Sequence, residues 1–409
     1  MASRRASLVF ILVVLVLDTL GIGLVIPVMP KVIESFVNGD LGAASHTYGA
    51  FVAVYAAMQF VFAPVIGGLS DRFGRRVVIL SSLAGAALDY LLLAFAPSLA
   101  LLFVGRVIAG ITGASFSAAT AYIADITPQE KRAQSFGMVG AAFGIGFILG
   151  PALGGFVGDH HVRAPFVLAA TLNFANFVYG LFVLPESLAS ENRSPFSLRK
   201  ANPVGAMRLL GRSPLLRGLA VTITLSFLAQ QILQSVWALH TESRFGWTPF
   251  QVGLSLTVVG ITSGVVQGGL VRAVVPKLGE RKSLLLGLLF NVSGFVAFGL
   301  ANRGWMMYAF LVPFALGGFV GPSIQALLSR EVDATEQGAL QGALTSLSSV
   351  TAVFGPLLGT TLVARFGPKD AVPHVPGAAF FCAALFNGVG MLLTMRLFGR
   401  LPEKAREEP

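Results

Sequence analysis

Apolar residues run through this chain in stretches of about 20 positions, long enough to cross a membrane as helices. Short polar segments, most of them basic, separate these stretches. The pattern therefore predicts an all-α integral membrane protein with twelve transmembrane helices. The predicted spans are 7–30, 47–69, 77–96, 98–123, 135–157, 164–184, 215–238, 249–271, 283–301, 304–326, 339–363 and 376–398.

The two halves of the chain repeat at a fixed offset of 205 residues. The segment 185–214 is polar, basic and contains prolines, so we predict domains at 1–184 and 215–409 joined by a cytoplasmic linker at 185–214. Two parallel six-helix bundles predict a transporter whose substrate site lies between them near mid-membrane. The matching positions are Gly74 with Gly279, Arg76 with Arg281, Gly137 with Gly342, Gly150 with Gly355, Pro151 with Pro356, and Gly154 with Gly359.

Composition and charge agree with a membrane protein. Only 12% of the residues are charged and 55% are hydrophobic, whereas a soluble domain has about 25% charged residues. The net charge of +10 does not indicate nucleic-acid binding, because the basic residues lie in short loops between the apolar runs. Most of them would face the cytoplasm if the N-terminus did, so both termini are predicted to be cytoplasmic. The first apolar run shows no clear cleavage site and is predicted to be a retained helix.

Three charged residues lie within the predicted spans: Asp18 in span 1, Asp89 in span 3 and Arg106 in span 4. A charge at the centre of a bilayer costs roughly 2.5–3.5 kcal/mol on insertion scales, so such residues are rare and usually functional. All three are predicted at comparable depth, which allows direct or water-mediated pairing. They indicate transport of protons or of a charged substrate.

Two glycine-containing motifs add to this pattern. GGLSDRFGRR lies between spans 2 and 3, and its residues Gly68, Asp71, Arg72, Gly74, Arg75 and Arg76 suggest a tight turn held by charge pairs. GIGFILGPALGG lies in span 5, where Gly146, Gly150, Pro151, Gly154 and Gly155 predict a bent helix that packs closely. The second copy of the loop has Pro276 in place of the acid, so we expect the two copies to act asymmetrically.

The first motif resembles the signature loop of the major facilitator superfamily, G-x-x-x-D-R-x-G-R-R. The resemblance implies the major facilitator fold and a loop that acts as a gate latch through charge pairing. The span-5 motif resembles the G-x-x-x-G-P-x-x-G-G motif of the drug–proton antiporters. FVGRVIAGITGA resembles their span-4 motif, whose arginine assists proton transfer, a role that Arg106 would take.

Across nearly its whole length the chain also resembles the tetracycline efflux proteins. The segments that carry this resemblance are LDTLGIGLVIPVMP, FAPVIGGLSDRFGRR, LDYLLLAFAP, GRVIAGITGAS and YIADIT, in this order. The resemblance implies that a Mg–tetracycline cation leaves in exchange for a proton. It implies that Asp18, Asp89 and Arg106 couple the proton and that Gln59 lines the pore. It also implies that Asp71 and Arg75 are the gating loop's acid and its basic partner, and that Asp125, the acid after YIA, belongs to the same gate.

Two positions depart from the tetracycline pumps. Asn291 stands in span 9 where the pumps have an acid, and Ser263 stands in span 8 where they have a histidine. An amide cannot carry a proton through a cycle, so coupling would rest on Asp18 and Asp89, or the substrate differs. The alternative function is therefore export of another amphiphilic drug or metabolite. The candidate substrate-binding residues are Gln59, Asn173, Gln231, Gln234, Trp237 and Asn291.

Other classes of function lack the residues they need. No G-x-x-x-x-G-K-[ST] loop is present, so ATP is not expected to drive transport, and no histidines or cysteines have metal-ligand spacing. We expect no enzyme activity and no resident cofactor, with Mg only as part of the substrate complex. The expected partners are a small-molecule drug, protons and the lipid bilayer, and the resemblance implies a monomer in the bacterial inner membrane. A receptor or scaffold without transport is disfavoured by the repeat and the three buried charges.

Overall fold

The computed structural model describes residues 2–113, 115–128, 131–189, 191, 193, 209–333 and 336–399. Within these residues twelve helices are long and apolar enough to cross a membrane, and no strand occurs, which confirms the predicted all-α class. The spans are, in order from 1 to 12, Leu8–Val25, Leu41–Phe73, Arg75–Phe95, Leu99–Ile126, Gln134–His160, Ala164–Val183, Pro214–Phe245, Pro249–Leu278, Glu280–Leu300, Gly304–Arg330, Gln337–Phe366 and Ala378–Gly399.

Some of the predicted boundaries were wrong by more than a turn. Span 1 ends at Val25, and a separate short helix, Met29–Glu34, follows it. The reason is Pro27, which has no N–H to donate to the helix and clashes with the preceding turn. Span 2 begins at Leu41 instead of residue 47, and span 7 continues to Phe245. Polar residues that the hydropathy pattern left outside the spans thus continue these helices beyond the predicted apolar windows.

Two glycines join consecutive spans with a single residue. Gly74 (φ +105°) separates spans 2 and 3, and Gly279 (φ +77°) separates spans 8 and 9. Positive φ is strained for residues that carry a Cβ atom, so glycine suits both positions. We call the side of the membrane at Gly74 the loop side, and the other side the far side.

Two spans of the second half of the chain contain a turn that is not α-helical. Span 8 has a π-helical turn at Val266–Leu270, and span 10 has a 3-10 turn at Leu316–Phe319. The two turns touch, since a Cβ on Gly318 would lie 3.3 Å from Cγ1 of Val266. Irregular turns of this kind within helices often mark functional or hinge positions.

The chain forms two compact units. The first comprises Met1–Asp40, Phe51–Ala201 and Trp247–Thr257, and the second comprises Leu41–Ala50, Asn202–Gly246 and Val258–Pro409. The start of span 2 thus belongs to the second unit, and the start of span 8 belongs to the first. The division into 1–184, 185–214 and 215–409 stays a prediction, and residues 194–208 of the predicted linker lie outside the described residues.

Each unit has its own apolar core. In the first unit, aliphatic side chains such as Ile11 and Ile79 pack around Tyr122 from spans 1, 3 and 4. In the second, Leu219, Leu284 and Ile324 bring spans 7, 9 and 10 together. The polar residues considered below lie on the spans of these two units, so their positions depend on how the helices are rotated against one another.

Candidate transport site and gating loop

The predicted pairing of membrane charges is found between Asp89 and Arg106. Nη2 of Arg106 lies 2.7 Å from Oδ2 of Asp89, and the Asp89 side chain is only 1% exposed. Gly105 leaves room for this contact, because a Cβ there would lie 2.6 Å from Oδ1 of Asp89. That same Oδ1 atom is buried without a hydrogen-bond partner within the described structure. The pair therefore joins spans 3 and 4 and leaves one acceptor of the carboxylate unused.

Asp18 stands apart from this pair. Its side chain is partly buried in span 1 and makes no ion pair or side-chain hydrogen bond with any described residue. About one helical turn further along, span 1 approaches spans 3 and 6 at Gly21. A Cβ on Gly21 would lie 2.6 Å from Nδ2 of Asn173 and 3.6 Å from the hydroxyl of Tyr90. Asp18 is thus a membrane acid whose carboxylate has no charge partner, unlike that of Asp89.

The candidate residues Gln59 and Asn173 are both partly engaged by the protein. Nε2 of Gln59 donates to the carbonyl of Gly113 at 3.3 Å and to the hydroxyl of Tyr55 at 3.4 Å. Asn173 is fully buried, and its Nδ2 donates to the carbonyl of Ala169, whereas its Oδ1 has no partner among the residues described. Each side chain keeps an acceptor oxygen that these hydrogen bonds do not use.

Tyr55 was missed in the sequence. The guanidinium carbon of Arg106 lies 5.8 Å from the centre of its ring, within the range of a cation–π contact. It precedes Gln59 by four residues and so shares one face of span 2 with it. That spacing was the signal available in the sequence, but an aromatic residue in an apolar run more often faces lipid or core.

The remaining candidates belong to the second unit. Trp237 is 3% exposed and packs edge-on against Phe298 with ring centroids 5.3 Å apart, which places it in the apolar packing of that unit. Gln231 lies against Gly355 of span 11, and Gln234 is exposed. Asn291 is partly buried, and its Oδ1 lies directly against the backbone of Gly317 in the 3-10 turn of span 10.

The loop between spans 2 and 3 holds the charge pair that its motif predicts, and Asp125 of span 4 joins this pair. Nη1 of Arg75 lies 2.5 Å from Oδ1 of Asp71, and its Nε lies 3.2 Å from Oδ2 of Asp125. The other motif residues are close by. Gly68 lies near the end of span 2, Arg72 stacks on Phe73, and Nη2 of Arg76 donates to the carbonyl of Leu181 at 2.5 Å. One arginine therefore ties span 2 to span 4 on the loop side.

Glu186 completes this network and was not found in the sequence. Its carboxylate accepts hydrogen bonds from the backbone N–H groups of Arg75 at 2.9 Å and Arg76 at 3.3 Å. These groups are the unpaired donors at the start of span 3, where a negative charge is favourable. A Cβ on Gly74 would collide with this carboxylate, so the glycine also makes room for it. The only signal in the sequence was an acid directly after span 6, in an otherwise basic segment.

The second half has an ion pair at the equivalent positions with its charges reversed. Nη2 of Arg330 lies 2.7 Å from Oε1 of Glu280. The offset of 205 that relates the two halves places Glu280 on Arg75 and Arg330 on Asp125. The second loop lacks the acid of the first loop. The contact between the third and fourth helices of the half is nevertheless retained, here between spans 9 and 10. Searching for identical residues could not find it, because both partners have exchanged sign.

The glycines of span 5 pack against two different helices. A Cβ on Gly146 would lie 2.7 Å from Cβ of Thr19. A Cβ on Gly150 would lie 2.8 Å from the carbonyl oxygen of Leu20 and from Cα of Gly23, and one on Gly154 would collide with the backbone of Leu24. Their spacing of four residues forms one stripe that faces span 1. Gly155 instead faces the start of span 8, and the carbonyl of Pro151 lies against Gly253 there. The motif thus provides close backbone contacts on both sides of span 5.

Comparison with known proteins identifies this arrangement. The family model for the Major Facilitator Superfamily matches residues 11–274 and 219–409. The chain belongs to the major facilitator superfamily. Among superfamily members, it is 41% identical to the class C tetracycline resistance protein of Escherichia coli, over 93% of this chain and 95% of that one. It is 29% identical to multidrug resistance protein 2 of Bacillus subtilis, over 92% and 91% of the two chains.

Solved structures agree with the superfamily fold. A bacterial homolog of the human lysosomal transporter Spinster, in an inward-facing and occupied conformation, matches with a TM-score of 0.77 at 15% identity and covers 100% of this chain and 99% of that chain. Identity this low supports the fold alone. The sequence relatives and the twelve spans make this superfamily member a multi-pass inner-membrane transporter of the drug-efflux branch.

Proposed function

We propose that this major facilitator protein exports tetracycline, as its Mg complex, in exchange for a proton. The observation that carries the proposal is that Asp18 lies in span 1 with its carboxylate unpaired, whereas Asp89 is held by Arg106. An unpaired membrane acid is available to bind either a proton or a cationic substrate. The similarity to tetracycline resistance proteins over more than nine-tenths of the chain supports this choice of substrate.

The cycle follows from the exchange of one charge for another. On the cytoplasmic face, the carboxyl group of Asp18 loses its proton, and the resulting carboxylate attracts the Mg–tetracycline cation. On the outer face, a proton binds to the carboxylate, neutralises it and so releases the cation. Arg106 holds Asp89 nearby, and the amides of Gln59 and Asn173 offer acceptors for the uncharged parts of the drug. The protein supplies no cofactor, and Mg enters only with the substrate.

The proposed orientation places the loop side, and with it both termini, in the cytoplasm. The basic residues of the signature loop, Arg72, Arg75 and Arg76, lie on that side, as the charge bias of inner-membrane proteins requires. The far side is then the outer face. We propose a monomer, because a single chain supplies both units of the transporter.

Changing Asp18 to asparagine is expected to reduce tetracycline uptake into inside-out vesicles by about 100-fold or more, since an amide cannot bind and release the proton. Uptake by the unchanged protein should disappear when the proton gradient is collapsed. Asp370→Asn, which removes an exposed acid from the loop before span 12, serves as the control and should leave uptake unchanged. Uptake that is indifferent to the gradient would contradict the proposal.

A second candidate function is export of a different amphiphile. Asn291 favours it, because this neutral amide lies against Gly317 at the position where the tetracycline pumps have an acid. Asn291→Asp is expected to bind Mg–tetracycline about tenfold more tightly than the unchanged protein in calorimetric titration, because a carboxylate attracts the cation. Metal-free tetracycline is the matched control ligand and should show a smaller gain. If neither form of the protein binds Mg–tetracycline, the substrate is another compound.

A further inference from the structure

The far side of the first unit contains a contact that the signature loop does not explain. Asp159 lies in the last turn of span 5, and its carboxylate reaches the start of span 8. Oδ2 accepts a hydrogen bond from the hydroxyl of Thr248 at 3.0 Å, and Oδ1 accepts one from the backbone N–H of Phe250 at 3.1 Å. Both oxygens of one exposed acid are therefore used on the same helix end.

The start of span 8 is already prepared for such a contact. Thr248 and Gln251 form a reciprocal capping pair: Oε1 of Gln251 accepts from the N–H of Thr248 at 3.0 Å, and Oγ1 of Thr248 accepts from the N–H of Gln251 at 3.4 Å. The N–H of Phe250 is not satisfied by this pair. Asp159 satisfies it from another helix and brings a negative charge to the positive end of the span 8 dipole.

Close packing continues from this contact towards the middle of the membrane. A Cβ on Gly155 would lie 2.9 Å from Cα of Phe250, and one on Gly253 would collide with the carbonyl of Pro151. Deeper still, the hydroxyl of Thr257 donates to the carbonyl of Ile148 at 3.0 Å. Spans 5 and 8 are thus joined along about three turns, and the Asp159 side chain lies at the far end of this contact.

We propose that Asp159 and the start of span 8 form an outer latch, which holds spans 5 and 8 together while the protein is closed to the outside. Span 5 lies in the first half of the sequence and span 8 in the second, so alternating access requires this contact to open once in each cycle. A carboxylate that accepts from one side-chain hydroxyl and one backbone N–H can be released without unfolding a helix. The proposal rests on the proposed transport cycle and orientation.

Two facing phenylalanines supply a reporter that requires no drug. The rings of Phe156 and Phe250 lie across the contact with centroids 6.3 Å apart. Cysteines at both positions, in a Cys382→Ser background, should form a disulfide rapidly upon oxidation. Adding Asp159→Asn removes the charge and one of the two acceptors, and we expect it to slow disulfide formation about three- to tenfold. Asp370→Asn is the matched control and should leave the rate unchanged.

Three outcomes decide the proposal. Slower disulfide formation with Asp159→Asn, and a smaller decrease in rate with Thr248→Val, would support it. If Asp159→Asn does not fold, the rate is compared between Thr248→Val and the unchanged contact. Equal rates in all variants would overturn it. In transport-competent protein the disulfide should stop transport and reduction should restore it, and unimpaired transport by the oxidised protein would also overturn the latch. Because the disulfide rate is measured without drug, failure of tetracycline transport alone would count against the proposed function and not against the latch.

Discussion

Replacing Arg106 with leucine is expected to lower the free energy of unfolding by about 3–5 kcal/mol and to reduce drug efflux to background. The reason is that Asp89, 1% exposed, would remain in the bundle without the guanidinium that lies 2.7 Å away. Removing one partner of a buried ion pair costs more stability than removing both, because the remaining charge has neither water nor a counter-ion. Chemical unfolding in detergent and uptake by inside-out vesicles measure the two effects.

Two further variants separate stability from transport. Asp89→Asn combined with Arg106→Leu removes both charges, so it should regain most of the lost stability and still fail to transport. Asp71→Asn removes the acid from the pair with Arg75 on the loop side, where the Asp71 side chain is 51% exposed. Exposed ion pairs contribute about 0–1 kcal/mol to stability, so Asp71→Asn should change the free energy of unfolding only slightly. Equal losses of stability at Arg106 and Asp71 would contradict the role assigned to burial.

Replacing Gly154 with alanine is expected to destabilise the protein by about 1–3 kcal/mol, although alanine is the better helix former. The new Cβ would lie 2.6 Å from Cα of Leu24 and would collide with its carbonyl oxygen. Backbone atoms cannot rotate away as a side chain can, so spans 1 and 5 must move apart. Since Asp18 is on span 1, transport should fall together with the melting temperature.

Gly144 provides the matched control for this substitution. It lies on the same helix, and nothing is within 4 Å of the position that its Cβ would occupy. Gly144→Ala should therefore be neutral or stabilising by up to about 1 kcal/mol, because it removes the flexibility of glycine from a helix. Both melting temperatures are measured in the same detergent. If the two variants melted at the same temperature, close packing would not be the reason for the glycine at 154.

The parts of the site that the sequence predicted are those defined by local patterns. Asp89 and Arg106 were recognisable because each is a charge in an apolar run, and their equal predicted depth suggested the contact that the structure shows. Arg75 and Asp71 are four residues apart in one motif, so their pairing is a local matter as well. In contrast, depth alone did not reveal that Asp18 remains outside the Asp89–Arg106 pair.

The contacts that were missed join residues far apart in the sequence. Glu186 lies 111 residues from Arg75, and Asp159 lies 91 residues from Phe250. In the sequence, each is an acid near the end of an apolar run, with nothing to indicate a partner. It acquires a partner only when the ends of two helices meet, which depends on how far each helix extends and how it is rotated. The start of span 3, which Glu186 caps, was predicted two residues too late, whereas the start of span 8, which Asp159 caps, was predicted correctly at residue 249.

The sequence by itself determined the number of spans, their apolar character, the repeat of the two halves and the positions of the membrane charges. The spans and the charges within them follow from windows of about 20 residues, because hydrophobic length decides whether a helix can cross a bilayer. The repeat follows from matching residues at an offset of 205. Tertiary structure decided which charges pair, which helices the glycines of span 5 face, and that Trp237 is buried in packing. Lipid and protein interior are equally apolar, so hydrophobicity does not reveal which face of a helix meets its neighbour. That choice is made by close packing and hydrogen bonds between helices.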